Sequence, residues 1–134
     1  LRKAVYGGTP LYLTLNTKVG AQATNSGTWT PAIPKNGHYK VEAYIGSHGS
    51  ILWSCPTKYI LQDTSHARYR IYYSGGNIAK VISQYSLGNA WANLGEYYFT
   101  AGTSGYVSLG NLNGEPNLTR TISYSVLRFT YVGP

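Results

Sequence analysis

Short apolar runs that alternate with polar residues recur along the whole chain, and each is cut off by Gly, Pro or Asn before it can extend. No window of eleven or more residues repeats its apolar positions at the helical period. Because side chains alternate between the two faces of a strand, this pattern describes half-buried strands, and the chain is expected to be all-β. Its 134 residues suffice for one hydrophobic core and are too few for two ordinary domains. Residues 1–134 are therefore read as a single domain.

The strands can be placed one by one. Leu11, Leu13 and Leu15 share a face of the first, and a polar loop runs from Asn16 to Gly27. Trp29 to Pro34 cannot lie inside a sheet, because two prolines remove ladder donors. The turn Lys35-Asn36-Gly37 then launches a strand with Tyr39, Val41, Ala43 and Ile45 on its core face. Gly46 to Thr64 is irregular, with room for a short strand at Tyr59–Leu61. Ala67 to Tyr73 alternates again, and Ser74-Gly75-Gly76-Asn77 reads as a hairpin turn into Ile78 to Gln84. Arg68, Arg70 and Tyr72 should share the outward face, with Lys80 and Ile82 beside them on the paired strand. Breaks at Ser86–Asn89 and Ala101–Gly105 delimit strands at Trp91–Phe99 and Tyr106–Leu109. The polar turn Asn113–Asn117 precedes one last strand, Ile122 to Val132, with Tyr124, Val126 and Arg128 on one face. Strand spacings near ten residues point to a sandwich or barrel.

Composition narrows the function. Fourteen Tyr and a charged content of only 11% exclude a disordered chain. The longest apolar runs are far shorter than the roughly 20 residues a membrane helix needs, so no membrane insertion is expected. The chain starts Leu1-Arg2-Lys3 without an initiator Met, as an excised piece of a larger protein would, and its Tyr-, Gly-, Ser- and Asn-rich balance suits a secreted or cell-surface protein. Cys55 is a single cysteine, so stability must come from packing, and a small buried or half-buried thiol is its expected state. Lys and Arg exceed Asp and Glu to give a net charge of +7, which suits an acidic partner, although the cations are spread singly from Arg2 to Arg128.

Catalytic chemistry finds little support. A glycosidase needs two carboxyl groups across one bond, yet Glu42, Asp63, Glu96 and Glu115 fall on separate elements. No Gly-x-Ser-x-Gly elbow accompanies His38, His48 or His66, and the histidines lack the short spacings of zinc ligands. The expectation is a protein that is not an enzyme and has no catalytic residue, no transition metal and no cofactor, with an oxygen-ligated structural calcium left open.

The order Ala67-x-Tyr69-x-Ile71, Gly-rich turn, strand to Gln84, Trp91-x-x-Leu94-Gly95-x-Tyr97-x-Phe99, Ala101-Gly102-Thr103-Ser104-Gly105 and Leu127-Arg128-Phe129 resembles the golvesin C-terminal-like domain, also described as the carbohydrate-binding-like domain of xanthan lyases. Trp29, Gly37-x-Tyr39-x-Val41 and Tyr44-Ile45 extend the resemblance, which covers about residues 29 to 132. It implies an antiparallel β-sandwich of jelly-roll type that serves as an accessory module beside another domain of a larger secreted bacterial chain. Sugar binding is implied by analogy. Ser125 stands where members of the family commonly carry an Asp.

A sugar site in such a sandwich needs an aromatic face for the pyranose and polar groups for its hydroxyls. Trp29 and Trp91 belong to the shared pattern and are expected to pack at the core or an edge. Trp53 lies outside that pattern, with His48, Lys58 and Tyr59 nearby, so Trp53, Tyr59 and His48 form one candidate ligand site. Arg68, Arg70 and Tyr72 form the other, where cations beside an aromatic ring suit an acidic polysaccharide. Nucleic acid is disfavoured, since no RNP-like or cold-shock block is present. The alternative reading is a structural adhesion or assembly domain with no glycan ligand.

Overall fold

A computed structural model describes residues 2–6, 9–16, 26–46, 52–54, 58–60, 63–85, 90–115 and 119–134. Twelve strands run in order: β1 (Arg2–Tyr6), β2 (Thr9–Leu15), β3 (Ser26–Trp29), β4 (Gly37–Ile45), β5 (Leu52–Ser54), β6 (Lys58–Ile60), β7 (Ala67–Tyr73), β8 (Gly76–Ile82), β9 (Ala90–Phe99), β10 (Tyr106–Gly110), β11 (Thr121–Tyr124) and β12 (Leu127–Gly133). No helix occurs among the described residues. For β1, β5 and β6 the description is of backbone and register. His48, Cys55, most of the loop expected from Asn16 to Gly27, and the break at Ser86–Asn89 lie outside the described residues.

Two layers form an antiparallel β-sandwich. One is the sheet β12-β4-β9 and the other is β3-β10-β7-β8. The chain alternates between them, from β3 to β4, from β8 to β9, and on to β10 and β12, as in a jelly roll. A third sheet, β1-β2-β11, and the hairpin β5-β6 complete the fold, which is not a closed barrel.

The core is where alternation places it. Tyr39, Val41, Ala43 and Leu94 from the first layer meet Tyr69, Ile71, Val107 and Leu109 from the second, with Ile122 and Tyr124 from β11 in the same cluster. Burying each large apolar side chain contributes roughly 1.5–3 kcal/mol. Aromatic rings meet edge to face at its centre, Phe99 lying 5.7 Å from Phe129 and 6.1 Å from Tyr39 between centroids.

One family block is explained by backbone geometry. Val41 pairs with Gly95 and Glu42 with Asn93, so Leu94 is the extra residue of a bulge. Gly95 has φ +107, and a Cβ there would sit 2.5 Å from the Tyr97 hydroxyl. That hydroxyl donates to the Leu94 carbonyl, capping the interrupted ladder. The Tyr97 ring stacks on Tyr73 at 5.1 Å. Leu94-Gly95-x-Tyr97 is thus a device for bending β9.

Two sequence expectations need correction. The expected strand from Ile122 to Val132 is two strands in different sheets, separated at Ser125–Val126. Tyr124 and Arg128 consequently do not share a face: Tyr124 is buried and Arg128 is exposed. The Ser125 carbonyl at the break accepts from Trp29 Nε1 at 2.7 Å, which ties β3 to the corner. Second, the hairpin register puts Val81 opposite Arg68, Ala79 opposite Arg70 and Asn77 opposite Tyr72. Lys80 and Ile82 pair with Tyr69 and Ala67 and therefore belong to the other face of the sheet.

Candidate functional site

The carboxylates show where polar chemistry is already committed. Glu115 lies in a buried cluster, accepting from Thr64, from Asn113 Nδ2 at 2.9 Å and from Ser65 Oγ at 3.0 Å, with Arg120 Nε at 3.3 Å. Burial alone would raise its pKa, but the hydrogen bonds from Thr64 and Ser65 and the Arg120 charge outweigh it, and the net shift is downward. Asn16 links the cluster to the end of β2: it donates to the Glu115 carbonyl and accepts from the backbone N–H groups of Thr119 and Arg120. Beside it, Gln84 accepts from Ser123 N and donates to Ser123 O and the Tyr69 hydroxyl. Burial drives the Tyr69 phenol well above its ordinary range. These groups fasten loops to the sandwich; among the described residues no three His, Cys, Asp or Glu side chains converge.

The outer face of β12-β4-β9 is also committed. Arg128 donates through Nε to Glu42 Oε1 at 3.0 Å, with Nη2 at 2.9 Å from the same oxygen. Its guanidinium lies 4.0 Å from the centroid of the Trp91 ring, and Tyr44 meets Trp91 edge-on at 5.2 Å. Lys40 stands 3.7 Å from Glu42. Trp91 is accordingly an edge side chain held between partners, as expected.

The outer face of β3-β10-β7-β8 is different. Arg68 and Arg70 are exposed there, and Tyr72 is half-buried in a stack with Tyr106, ring centroids 4.3 Å apart. Arg70 Nη1 donates to Asn77 Oδ1 at 2.7 Å, while among the described residues neither arginine pairs with a carboxylate. The registers place Thr28, Ser108, Arg70 and Ala79 in one row across four strands. With strands about 4.8 Å apart, Thr28 and Arg70 are roughly 10 Å apart along that row.

At the Thr28 end the row reaches a groove of about 340 Å³ lined by Tyr12, Thr14, Ser26, Gly27, Thr28, Trp29, Tyr124 and Ser125. Tyr12 and Tyr124 are cross-strand partners on β2 and β11. Tyr124 is buried, its hydroxyl 3.1 Å from Thr14 Oγ1, and burial pushes its pKa up to about 12. Tyr12 is 39% exposed. Gly27 keeps the floor open, because a Cβ there would come 3.1 Å from the Tyr124 ring and 3.5 Å from Trp29.

The sequence candidates thus fall into separate places. Arg68, Arg70 and Tyr72 do share one outward face. Trp53 is register partner to Tyr59 in the β5-β6 hairpin, and His48 lies outside the described residues. The groove residues Tyr12, Gly27 and Tyr124 were not singled out by sequence. Only Tyr12 carried a signal, as the aromatic residue opposite in face to Leu11 and Leu13; Tyr124 joins it through a pairing of residues far apart in the chain.

The sandwich is similar to part of a Paenibacillus xanthan lyase structure, with a TM-score of 0.68 and 22% sequence identity. The likeness covers 95% of this chain and 10% of that one, so the chain spans about a tenth of the length of the structure it matches. No curated protein matches the chain. The family match runs over residues 3–122, so it begins upstream of Trp29, takes in β1 and β2, and stops before Leu127-Arg128-Phe129. On that match, which spans strands from both layers and all but the last part of the chain, the chain belongs to the golvesin C-terminal domain family.

Proposed function

We propose that the domain is a non-catalytic accessory module of a secreted protein that acts on or displays polysaccharide, and that it binds an acidic glycan along the outer face of β3-β10-β7-β8. The observation that carries this reading is the continuity of an aromatic, hydroxyl-rimmed groove with a row of polar and cationic side chains. Tyr12 and Trp29 offer apolar surface for a pyranose, and Ser26 and Thr28 offer hydroxyls at the rim. Arg68 and Arg70, which have no carboxylate partner among the described residues, suit a uronate or another acidic substituent about two sugar residues along, since an arginine fork matches carboxylate geometry.

The non-catalytic part of the reading is supported by the carboxylates. Glu42 and Glu115 are each engaged by an arginine, on different sides of the fold. A pair flanking one bond is not formed by them. The domain would need no cofactor. A neighbouring domain of a longer chain is its natural companion, as the tenfold greater length of the xanthan lyase chain suggests.

Electrophoretic retardation in gels containing alginate or xanthan, against neutral glucans, tests the proposal. Retardation by the acidic glycans should weaken at high salt, fall about tenfold in apparent affinity for Arg68→Gln/Arg70→Gln, and fall comparably for Tyr12→Ala. Absence of retardation by every glycan, or retardation unchanged in these variants, would overturn it.

A further inference from the structure

At the far end of the same sheet from the groove, β8 is exposed along nearly its whole length. Six of its seven residues are exposed, including Ile78, Ala79 and Val81, with Val81 at 51%. No other strand described residue by residue is so open. It pairs with β7 on one side, and among the described residues no strand pairs with its other side. Long edges are templates for pairing with another chain, and proteins that do not use them blunt them with prolines, bulges, short length or charged side chains, lysine above all. β8 has no proline and no break in register, and its one charged residue, Lys80, guards it against a like-charged strand but not against an acidic one.

The register shows which backbone groups are available. Tyr73 and Gly76 flank the two-residue turn Ser74-Gly75 and form the closing bonded pair, so bonded pairs recur at Ile78, Lys80 and Ile82. Asn77, Ala79 and Val81 therefore turn their N–H and C=O groups away from β7. These are the three positions from which an added strand would take its ladder.

The chemistry of the occupant follows from charge. Lys80 sits in the middle of the edge, and Arg70 reaches over β8 to Asn77. Among the described residues neither they nor Arg68 pairs with a carboxylate. A second copy of this chain would bring another central lysine and another net charge of +7 against the first. Like charges across a strand pair are unfavourable. A strand of alternating acidic and apolar residues meets both demands: its carboxylates face Lys80 on one side of the sheet, and its apolar residues cover Ala79 and Val81 on the other.

We infer that the free edge of β8 is a docking site for an extended acidic segment of a partner polypeptide, bound by strand addition through Asn77, Ala79 and Val81. This edge lies across the sheet from the groove at β3, with Arg68 and Arg70 of the proposed glycan row on the strand beside it. It gives the domain a protein-facing edge as well as a sugar-facing face.

The test uses a blocked octapeptide of alternating Val and Glu, with its Val/Lys counterpart as control, added to the labelled domain and followed by amide NMR and hydrogen exchange. Binding of the acidic peptide should slow exchange at Asn77, Ala79 and Val81. It should weaken about tenfold or more when the peptide's alternate nitrogens facing β8 are methylated, because main-chain hydrogen bonds supply the affinity in this mode. Lys80→Glu, an exposed change compatible with folding, should reverse the preference toward the Val/Lys peptide. Equal binding of the methylated peptide, or perturbation elsewhere than β8, would overturn the inference. So would a dimer of the domain alone with those three amides protected, which would assign the edge to a second copy.

Discussion

The two outer faces of the sandwich use the same residue types to opposite ends. On β12-β4-β9 an arginine, a lysine, a glutamate, a tryptophan and a tyrosine interlock: Arg128 is held by Glu42 and lies on Trp91, which Tyr44 abuts. On β3-β10-β7-β8 two arginines stand beside a tyrosine stack with no carboxylate among them. The difference is one buried carboxylate. Where Glu42 is present, cations and rings satisfy each other and stabilise the sheet. Where it is absent, Arg70 is held by Asn77 and the rings stack on each other, and among the described residues neither Arg68 nor Arg70 forms an ion pair.

The largest test of this contrast lies where charge is most deeply committed. Glu115→Gln should destabilise the domain by about 3 kcal/mol in chemical unfolding, because it leaves Arg120 and the hydroxyls of Thr64 and Ser65 around a neutral amide. The folded pKa of Glu115 is lowered from its ordinary value of 4.5, so its contribution is complete above that value and is lost as pH falls through the folded one. Stability should therefore drop on acidification in the native sequence, and that part of the slope should vanish in Glu115→Gln. An unchanged acid slope would show that the cluster does not hold the charged form.

On the interlocked face, Arg128→Ala should cost about 1–2 kcal/mol, since it removes both a charge-assisted hydrogen bond and the cover over Trp91. A double-mutant cycle with Glu42→Gln should return a coupling of about 1 kcal/mol. Coupling indistinguishable from zero would erase the proposed difference between the faces. The smallest effect on stability belongs to the open face: Arg68→Gln and Arg70→Gln should each change unfolding free energy by less than about 0.5 kcal/mol. Their effect should appear in glycan retardation instead. A large stability loss for either would mean that this face, too, is spent on the fold.

Much of the architecture was legible because alternation is a local property. Tyr39, Val41, Ala43 and Ile45 could be assigned to the core from spacing alone, and the same holds for Ala67, Tyr69 and Ile71. Local reading failed where a strand changes sheets. Nothing in Tyr124-Ser125-Val126 breaks the alternation, yet Ser125 is where the chain turns a corner, fixed by a hydrogen bond from Trp29. β5 was missed because three residues are too few to establish a period. The pairing of Arg70 with Ala79 rather than with Lys80 depended on the turn length, and one residue of register moves every side chain to the other face.

The sequence by itself determined the class of fold, the principal strands, the inward residues and the shared outward face of Arg68, Arg70 and Tyr72, because these follow from period-two alternation and from turn chemistry within about ten residues. Only the tertiary structure decided that Tyr12 would meet Tyr124, that Glu42 would claim Arg128, and that Thr28 and Ser108 would carry the groove toward Arg70. Each of these depends on which strands lie side by side and in what register, and that is set by packing between segments distant in the chain rather than by any neighbour in sequence.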